Sequence, residues 1–274
     1  MTIFQSILLG IVQGITEFVP VSSSGHLVLT PFLFGWQIPQ EHAWVFNVLI
    51  QVGTLVAVII YFWRDLVLIA AAFLQGILRK QPFSTPEYRI GWYLILATIP
   101  AVLVGLLLKD TVESAFDSPR ATAYFLLLTA VLLLVAEVAG RRQNKMADLT
   151  WKDALVIGFF QVLSLFPGVS RSGSTITGGM LRSLDRPAAA RFSFLMSIPV
   201  MLGAGLVTTI DLFRLPDLNV LLPTLSVGFL TSVVVGYLSI HWLLRFLARH
   251  PLYIFSAYCA AAGLLLLALT FIVA

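Results

Sequence analysis

Apolar residues run along this chain in long, nearly unbroken blocks at 43–63, 90–108, 121–139, 192–210, 221–243 and 252–274. Each is close to the roughly 20 residues that a helix needs to cross bilayer hydrocarbon. Four of these blocks hold no charged residue, 221–243 holds only His241, and 121–139 holds Glu137 near its end. Two further apolar blocks, 3–20 and 154–169, are short and run straight into the small polar motifs VSSSGH (21–26) and VSRSGS (169–174). Beyond each motif the chain turns apolar again at 27–35, or small and mixed at 175–184. That pattern predicts a re-entrant hairpin in each half: a half-helix descends, the backbone breaks, and a second half-helix returns to the same face. The block 66–78, with 13 residues, is too short to span and is expected to lie along the interface. The predicted fold is an all-α integral membrane protein with about six transmembrane helices and two re-entrant hairpins.

Composition agrees, because 59% hydrophobic and 11% charged residues leave too little polar surface for a soluble domain of 274 residues. Thr85-Pro86, Ser118-Pro119 and Asp185-Arg186-Pro187 read as helix starts. If the six long blocks cross and each hairpin returns to its own side, one face carries thirteen Lys and Arg and the other three, Lys109, Arg120 and Arg214. The positive-inside rule then places the richer face in the cytoplasm and both termini outside. The basic residues are spread over loops, so no nucleic-acid partner is expected. The opening MTIFQSILLG lacks a basic region, and no cleavable signal is expected. Cys259, the single cysteine, excludes an intramolecular disulfide and reads as a small packing residue. Glu137 is expected to pair with Arg141, four residues on.

The two halves match at an offset of 148: Gly10, Gln13, Phe18, Val21, Ser22, Ser24 and Gly25 fall on Gly158, Gln161, Phe166, Val169, Ser170, Ser172 and Gly173. Each motif is followed by three long blocks. An odd number of crossings per unit makes the repeats, about 1–140 and 150–274 within a single membrane domain (1–274), inverted relative to each other. The tips of two opposed hairpins can then meet near mid-bilayer, as the broken helices of inverted-repeat proteins do. Irregular backbone at that depth is tolerated only around protein or a wet cavity, so a polar chamber shared by both halves is predicted.

The chemistry available there is specific. Gln13 and Glu17, four apart, share one helical face, and an acid inside an apolar segment is a candidate functional residue. Ser22, Ser23, Ser24 and Gly25 follow a helix break, where backbone N–H groups and hydroxyls can converge on an anion, and His26 adds an imidazole. The second motif supplies Arg171, whose planar donor fork suits phosphate, with Ser170, Ser172, Gly173, Ser174 and Thr175 around it. A carboxylate, an imidazole, a guanidinium and several hydroxyls together suit phosphoryl transfer. The competing structural reading makes Glu17 and Arg171 an ion pair across the repeat interface and the small residues mere close-packing sites.

QGITEFVPVSSSGH, from Gln13 to His26, and PGVSRSGST, from Pro167 to Thr175, resemble the motifs of the undecaprenyl-diphosphate phosphatase family, the bacitracin-resistance type of bacterial membrane phosphatase. Segment order extends the resemblance along essentially the whole chain. It implies hydrolysis of undecaprenyl diphosphate to the monophosphate and phosphate, recycling the lipid carrier of cell-wall synthesis and conferring bacitracin resistance. It also implies a divalent cation, Mg²⁺ or Ca²⁺, an active site open to the outer face of the cell membrane, and a fold of inverted repeats. Glu17 resembles the family's essential acid, Ser22, Ser23 and His26 its serine and histidine positions, and Ser170, Arg171 and Thr175 its phosphate-binding run. The family allows Glu or Gln at position 13, so Gln13 puts a two-carboxylate mechanism in doubt here.

The expected mechanism has Arg171 and the serine N–H groups clamping the diphosphate, a cation bridging it to Glu17, and Ser23 as nucleophile with Glu17 or His26 as its base. Direct attack by water stays open. A second class, a secondary transporter or flippase for a lipid phosphate or small anion, would need the same arginine and broken helices but no poised nucleophile. The partners implied are a polyprenyl diphosphate and the bilayer. A homodimer is compatible with this architecture, and the sequence does not decide the oligomeric state.

Overall fold

The backbone leaves the helix at both polar motifs, and everything else is built around those two breaks. The structure, a computed structural model, describes residues 1–116, 118–212 and 218–272, with the backbone alone at 40, 41, 113, 204, 206–212, 218–220 and 272. The first half runs α1 (Ile3–Thr16), α2 (Ser23–Leu33), α3 (Gln40–Tyr61), α4 (Trp63–Leu78), α5 (Pro86–Leu107), α6 (Lys109–Phe116) and α7 (Pro119–Ala139). A 3₁₀ turn at Met146–Asp148 leads into α8 (Trp151–Leu163), α9 (Arg171–Leu181), α10 (Arg186–Leu212), α11 (Leu218–Leu247) and α12 (Tyr253–Ile272).

Local chemistry sets these boundaries. Thr2 and Thr150 open α1 and α8 with matching capping boxes, closed by Gln5 and Asp153. The three expected starts hold: Thr85 and Ser118 cap α5 and α7 ahead of a proline, and Asp185 Oδ1 accepts from Ala188 N at the start of α10. Five helices among the described residues are long and apolar enough to cross a membrane: His42–Tyr61, Pro86–Leu107, Pro119–Ala139, Leu221–Leu247 and Tyr253–Phe271. The sixth expected span, 192–210, lies in α10, where several side chains are outside the described residues, as is Arg214 of the charge argument. This is an all-helical, multi-pass membrane protein. The block 66–78 forms α4, a 16-residue helix packed on α5 that leaves Val67, Leu68, Leu74, Ile77 and Leu78 exposed.

The helices correspond in pairs, and their contacts cross between halves. The offset of 148 carries α2 onto α9 and places α1 on α8 and α3 within α10. Helix α1 lies on α11 of the other half, α8 lies on α5, α3 packs on α10, and α7 on α12. The matched Gly10 and Gly158 explain the swap. A Cβ on Gly10 would sit 2.8 Å from the Gly228 carbonyl oxygen of α11, and one on Gly158 2.5 Å from the Ala97 oxygen of α5. Only glycine lets each short helix approach a long helix of the opposite half so closely. The main buried cluster then fills the centre with residues of both halves, including Phe18 edge-on to Phe194 at 5.3 Å.

Candidate active site

The first hairpin is shaped by one unusual residue. Ser22 takes φ 73°, rare for a side chain other than glycine's, and its hydroxyl caps α2 by accepting from Gly25 N at 3.3 Å. The turn throws Ser23 back over the end of α1, where its hydroxyl donates to Glu17 Oε2 at 2.8 Å. Gln13, one turn earlier on α1, donates to the same oxygen at 2.9 Å and lies 3.4 Å from the Thr54 hydroxyl of α3. The predicted shared face of Gln13 and Glu17 is thus a direct contact.

The second hairpin meets it tip to tip. Gly168 has φ +95°, and a Cβ there would fall 2.3 Å from the Thr122 carbonyl oxygen of α7, so the turn admits only glycine. Gly168 N donates to the Ser24 hydroxyl at 3.2 Å, a hydrogen bond between residues 144 apart in sequence. Arg171, at the start of α9, donates from Nη2 to Glu17 Oε1 at 2.7 Å, with side chains only 15% and 4% exposed. The other terminal nitrogen, Nη1, is buried without a hydrogen-bond partner. The carboxylate therefore gathers an arginine, a serine hydroxyl and an amide, while the guanidinium keeps one donor for an acceptor that the protein does not supply.

The remaining predicted residues divide into two groups. Ser170, Ser172 and Thr175 form a separate network about the start of α9. Ser170 Oγ accepts from Gly173 N at 3.1 Å and lies 3.2 Å from Ser172 Oγ, while Thr175 Oγ1 donates to the Arg171 carbonyl at 2.7 Å. These contacts brace the turn that presents Arg171. Both ring nitrogens of His26 are engaged elsewhere than on the carboxylate, with Nδ1 2.7 Å from the Ser22 carbonyl oxygen and Nε2 2.6 Å from the Tyr258 hydroxyl of α12.

Sequence reasoning missed Thr54, Thr129, Ser193 and Tyr258. Thr129 of α7 accepts from Ser170 N at 3.0 Å and donates to the Gly168 carbonyl at 3.2 Å, holding the second tip, and Ser193 lies 2.6 Å from the Thr175 hydroxyl. Each stands in or beside an apolar block with no motif about it. The expected Glu137–Arg141 pair is not what forms. Glu137 accepts from Arg142 at 2.9 Å, Arg186 at 2.6 Å and Leu252 N at 2.8 Å, because α7 ends at Ala139 and the i,i+4 geometry of a continuing helix is lost.

A divalent cation finds little here to hold it. Among the described residues no three of His, Cys, Asp and Glu gather as ligands. Both oxygens of Glu17 are already taken by Arg171, Gln13 and Ser23, and the guanidinium repels a second cation. Among the described residues, no such cluster stands ready for a divalent cation. Most ligands of a bound Mg²⁺ or Ca²⁺ would have to come from a diphosphate.

Comparison with known proteins places this geometry. Residues 6–265 match the family model described as Bacitracin resistance protein BacA. The undecaprenyl-diphosphatase of Chlorobium phaeovibrioides is 45% identical over 98% of this chain and 97% of its own length. That of Thermomicrobium roseum is 43% identical over 97% and 98%, and that of Myxococcus xanthus 42% over 98% and 89%. Matched along almost its entire length, with the Glu17–Arg171 contact joining the two motifs that carry the likeness, the chain belongs to the bacitracin resistance protein BacA family.

Proposed function

We propose that this protein is an undecaprenyl-diphosphate phosphatase whose catalytic centre is the junction of the two hairpin tips. The reaction is hydrolysis of undecaprenyl diphosphate to undecaprenyl phosphate and phosphate, which recycles the lipid carrier of peptidoglycan synthesis. One observation carries the residue roles: Ser23 and Arg171, from opposite halves, both bond the same buried carboxylate, that of Glu17. A scaffolding ion pair needs no hydroxyl aimed at the acid, and a transporter needs no base on a serine.

The free Nη1 of Arg171 takes an oxygen of the terminal phosphate. Ser23 Oγ attacks that phosphorus as its proton passes to Glu17 Oε2, 2.8 Å away. The bond from phosphorus to the bridging oxygen breaks, undecaprenyl phosphate leaves with the proton handed on by Glu17, and water, now losing its proton to the freed carboxylate, cleaves the phosphoserine to phosphate and Ser23. Both ring nitrogens of His26 are engaged, Nδ1 with the Ser22 carbonyl and Nε2 with the Tyr258 hydroxyl, so its part in the reaction is to hold the turn that carries Ser23. A Mg²⁺ or Ca²⁺ ion, if carried by the diphosphate, would neutralise part of the phosphate charge. The pairing of helices across the halves supports two inverted repeats; the uneven loop charge argues for both termini outside, and the family likeness for a site that opens on the outer face of a bacterial cell membrane.

Phosphate release by the purified protein from undecaprenyl diphosphate in detergent tests the activity, and a transporter would release none. Rapid quench followed by mass spectrometry tests the covalent step. Phosphate on Ser23 is the expected result, and full turnover with no phosphorylated residue would replace the serine with a water nucleophile.

A further inference from the structure

Helix α12 carries none of the motif residues, yet it reaches the first hairpin at consecutive positions. Cys259 Sγ sits 3.6 Å from the Pro20 carbonyl oxygen, and Tyr258 lays its ring against His26, with centroids 5.5 Å apart and planes 12° from parallel. Two residues earlier, the Ser256 hydroxyl donates to the Ala130 carbonyl of α7 at 2.7 Å. At this level α12 is fixed from two sides, and Tyr258 is presented from a rigid support.

The two nitrogens of His26 do different jobs, and chemistry assigns them. A carbonyl oxygen only accepts, so the 2.7 Å contact with Ser22 puts a hydrogen on Nδ1. In the neutral ring Nε2 then holds a lone pair, and the Tyr258 hydroxyl at 2.6 Å must donate to it. We propose that Tyr258 is a positioning residue for the phosphatase reaction: its hydroxyl fixes the tautomer and rotation of His26, and through them the Ser22 carbonyl and the Ser23 hydroxyl. Ser22 is the strained residue of the turn, with φ 73°, and His26 Nδ1 holds its carbonyl. Without Tyr258 the ring is free to turn and to exchange tautomers, and the carbonyl beside Ser23 loses its short side-chain donor and keeps only the longer bond from His26 N at 3.3 Å. The phenol bonds and stacks on His26, and in this proposal it acts through the imidazole.

This inference rests on the reading of Ser23 as nucleophile and of His26 as the residue that holds its turn, and the test separates the two. Full-length protein is prepared as wild type, Tyr258→Phe, His26→Ala and the double variant, and kcat and KM for phosphate release are measured. Phenylalanine keeps the stacked ring and removes only the hydroxyl. Tyr258→Phe is expected to lower kcat about tenfold or more with KM nearly unchanged, and to have little further effect in the His26→Ala background. The ¹⁵N spectrum of His26 in the wild type should show the tautomer protonated at Nδ1, giving way to a mixture in Tyr258→Phe. An Nε2-protonated wild type overturns the proposal without recourse to any variant. So does an unchanged kcat in Tyr258→Phe, or an equal loss with and without His26. If His26→Ala alone keeps full turnover, the part given to His26 in the reaction falls, and the change of tautomer in Tyr258→Phe decides whether Tyr258 positions the ring.

Discussion

The contact between Glu17 and Arg171 admits two explanations, a brace between halves or a working part of the site, and a pair of variants separates them. Arg171→Met keeps most of the side-chain stem and removes the charge. At 2.7 Å and an effective dielectric of about 20, the attraction removed is roughly 6 kcal/mol before desolvation is counted. Stripping one partner from a buried pair costs about 3–5 kcal/mol net. Glu17 keeps two other donors, Gln13 and Ser23, so the lower end applies. For a chain of this size about 3 kcal/mol lowers the unfolding temperature by roughly 6–12 °C. Turnover should fall by a factor of about 10³ or more, because the same substitution deletes the donor left for phosphate. Adding Glu17→Gln removes the stranded carboxylate, and the double variant should regain most of the lost unfolding temperature. It should regain no turnover. Thermal unfolding in detergent and phosphate release, measured on the same preparations, read both quantities. If the double variant recovered turnover to within about tenfold of wild type, the pair would be scaffolding, and the residue roles proposed for the site would be wrong.

Three further outcomes follow from particular contacts. Gly168→Ala forces a Cβ into the Thr122 carbonyl at 2.3 Å on a backbone with φ +95°. It should destabilise by more than about 2 kcal/mol and weaken turnover by moving Arg171, and a wild-type unfolding temperature would refute the tight turn. Gln161, the counterpart of Gln13, is 1% exposed with neither end of its amide hydrogen-bonded. Gln161→Leu should therefore raise the unfolding temperature or leave it unchanged, since an unpaired buried amide costs about 1–3 kcal/mol; a clear loss of stability would mean that the amide has a partner. A chelator should stop phosphate release, and the Mg²⁺ or Ca²⁺ needed to restore it should scale with the diphosphate present, because no three candidate ligands gather among the described residues. A requirement independent of substrate concentration would point to a resident cation instead.

Helix positions, capped starts and the two breaks were legible because each has a local cause: an apolar block, a Ser or Thr before a proline, a run of small polar residues. The meeting of Glu17 and Arg171 was legible less directly. It needed the repeat at offset 148 and an argument about topology, since no local rule joins residues 154 apart. What stayed hidden is the second layer of contacts. Thr129 sits among apolar residues of α7, and a lone threonine in a spanning helix usually bonds its own backbone, as this one also does to Phe125 at 3.1 Å. Its second role, accepting from Ser170, depends on where a distant hairpin ends.

The halves also differ in a way that pattern alone could not rank. Both hairpins use a capping serine and a matched glycine, yet the offset sets Glu17 against Leu165, Ser23 against Arg171 and His26 against Ser174. Each half lost or never held what the other supplies, so neither tip could perform the proposed reaction alone. The shared residues build the hairpins, and the unshared ones carry the chemistry. Tyr258 continues that division: it lies outside both motifs, 232 residues from the histidine it touches, on the helix that the second half contributes behind the first tip. A search for similarity between the halves passes over such a residue, because its importance comes from where the two repeats differ.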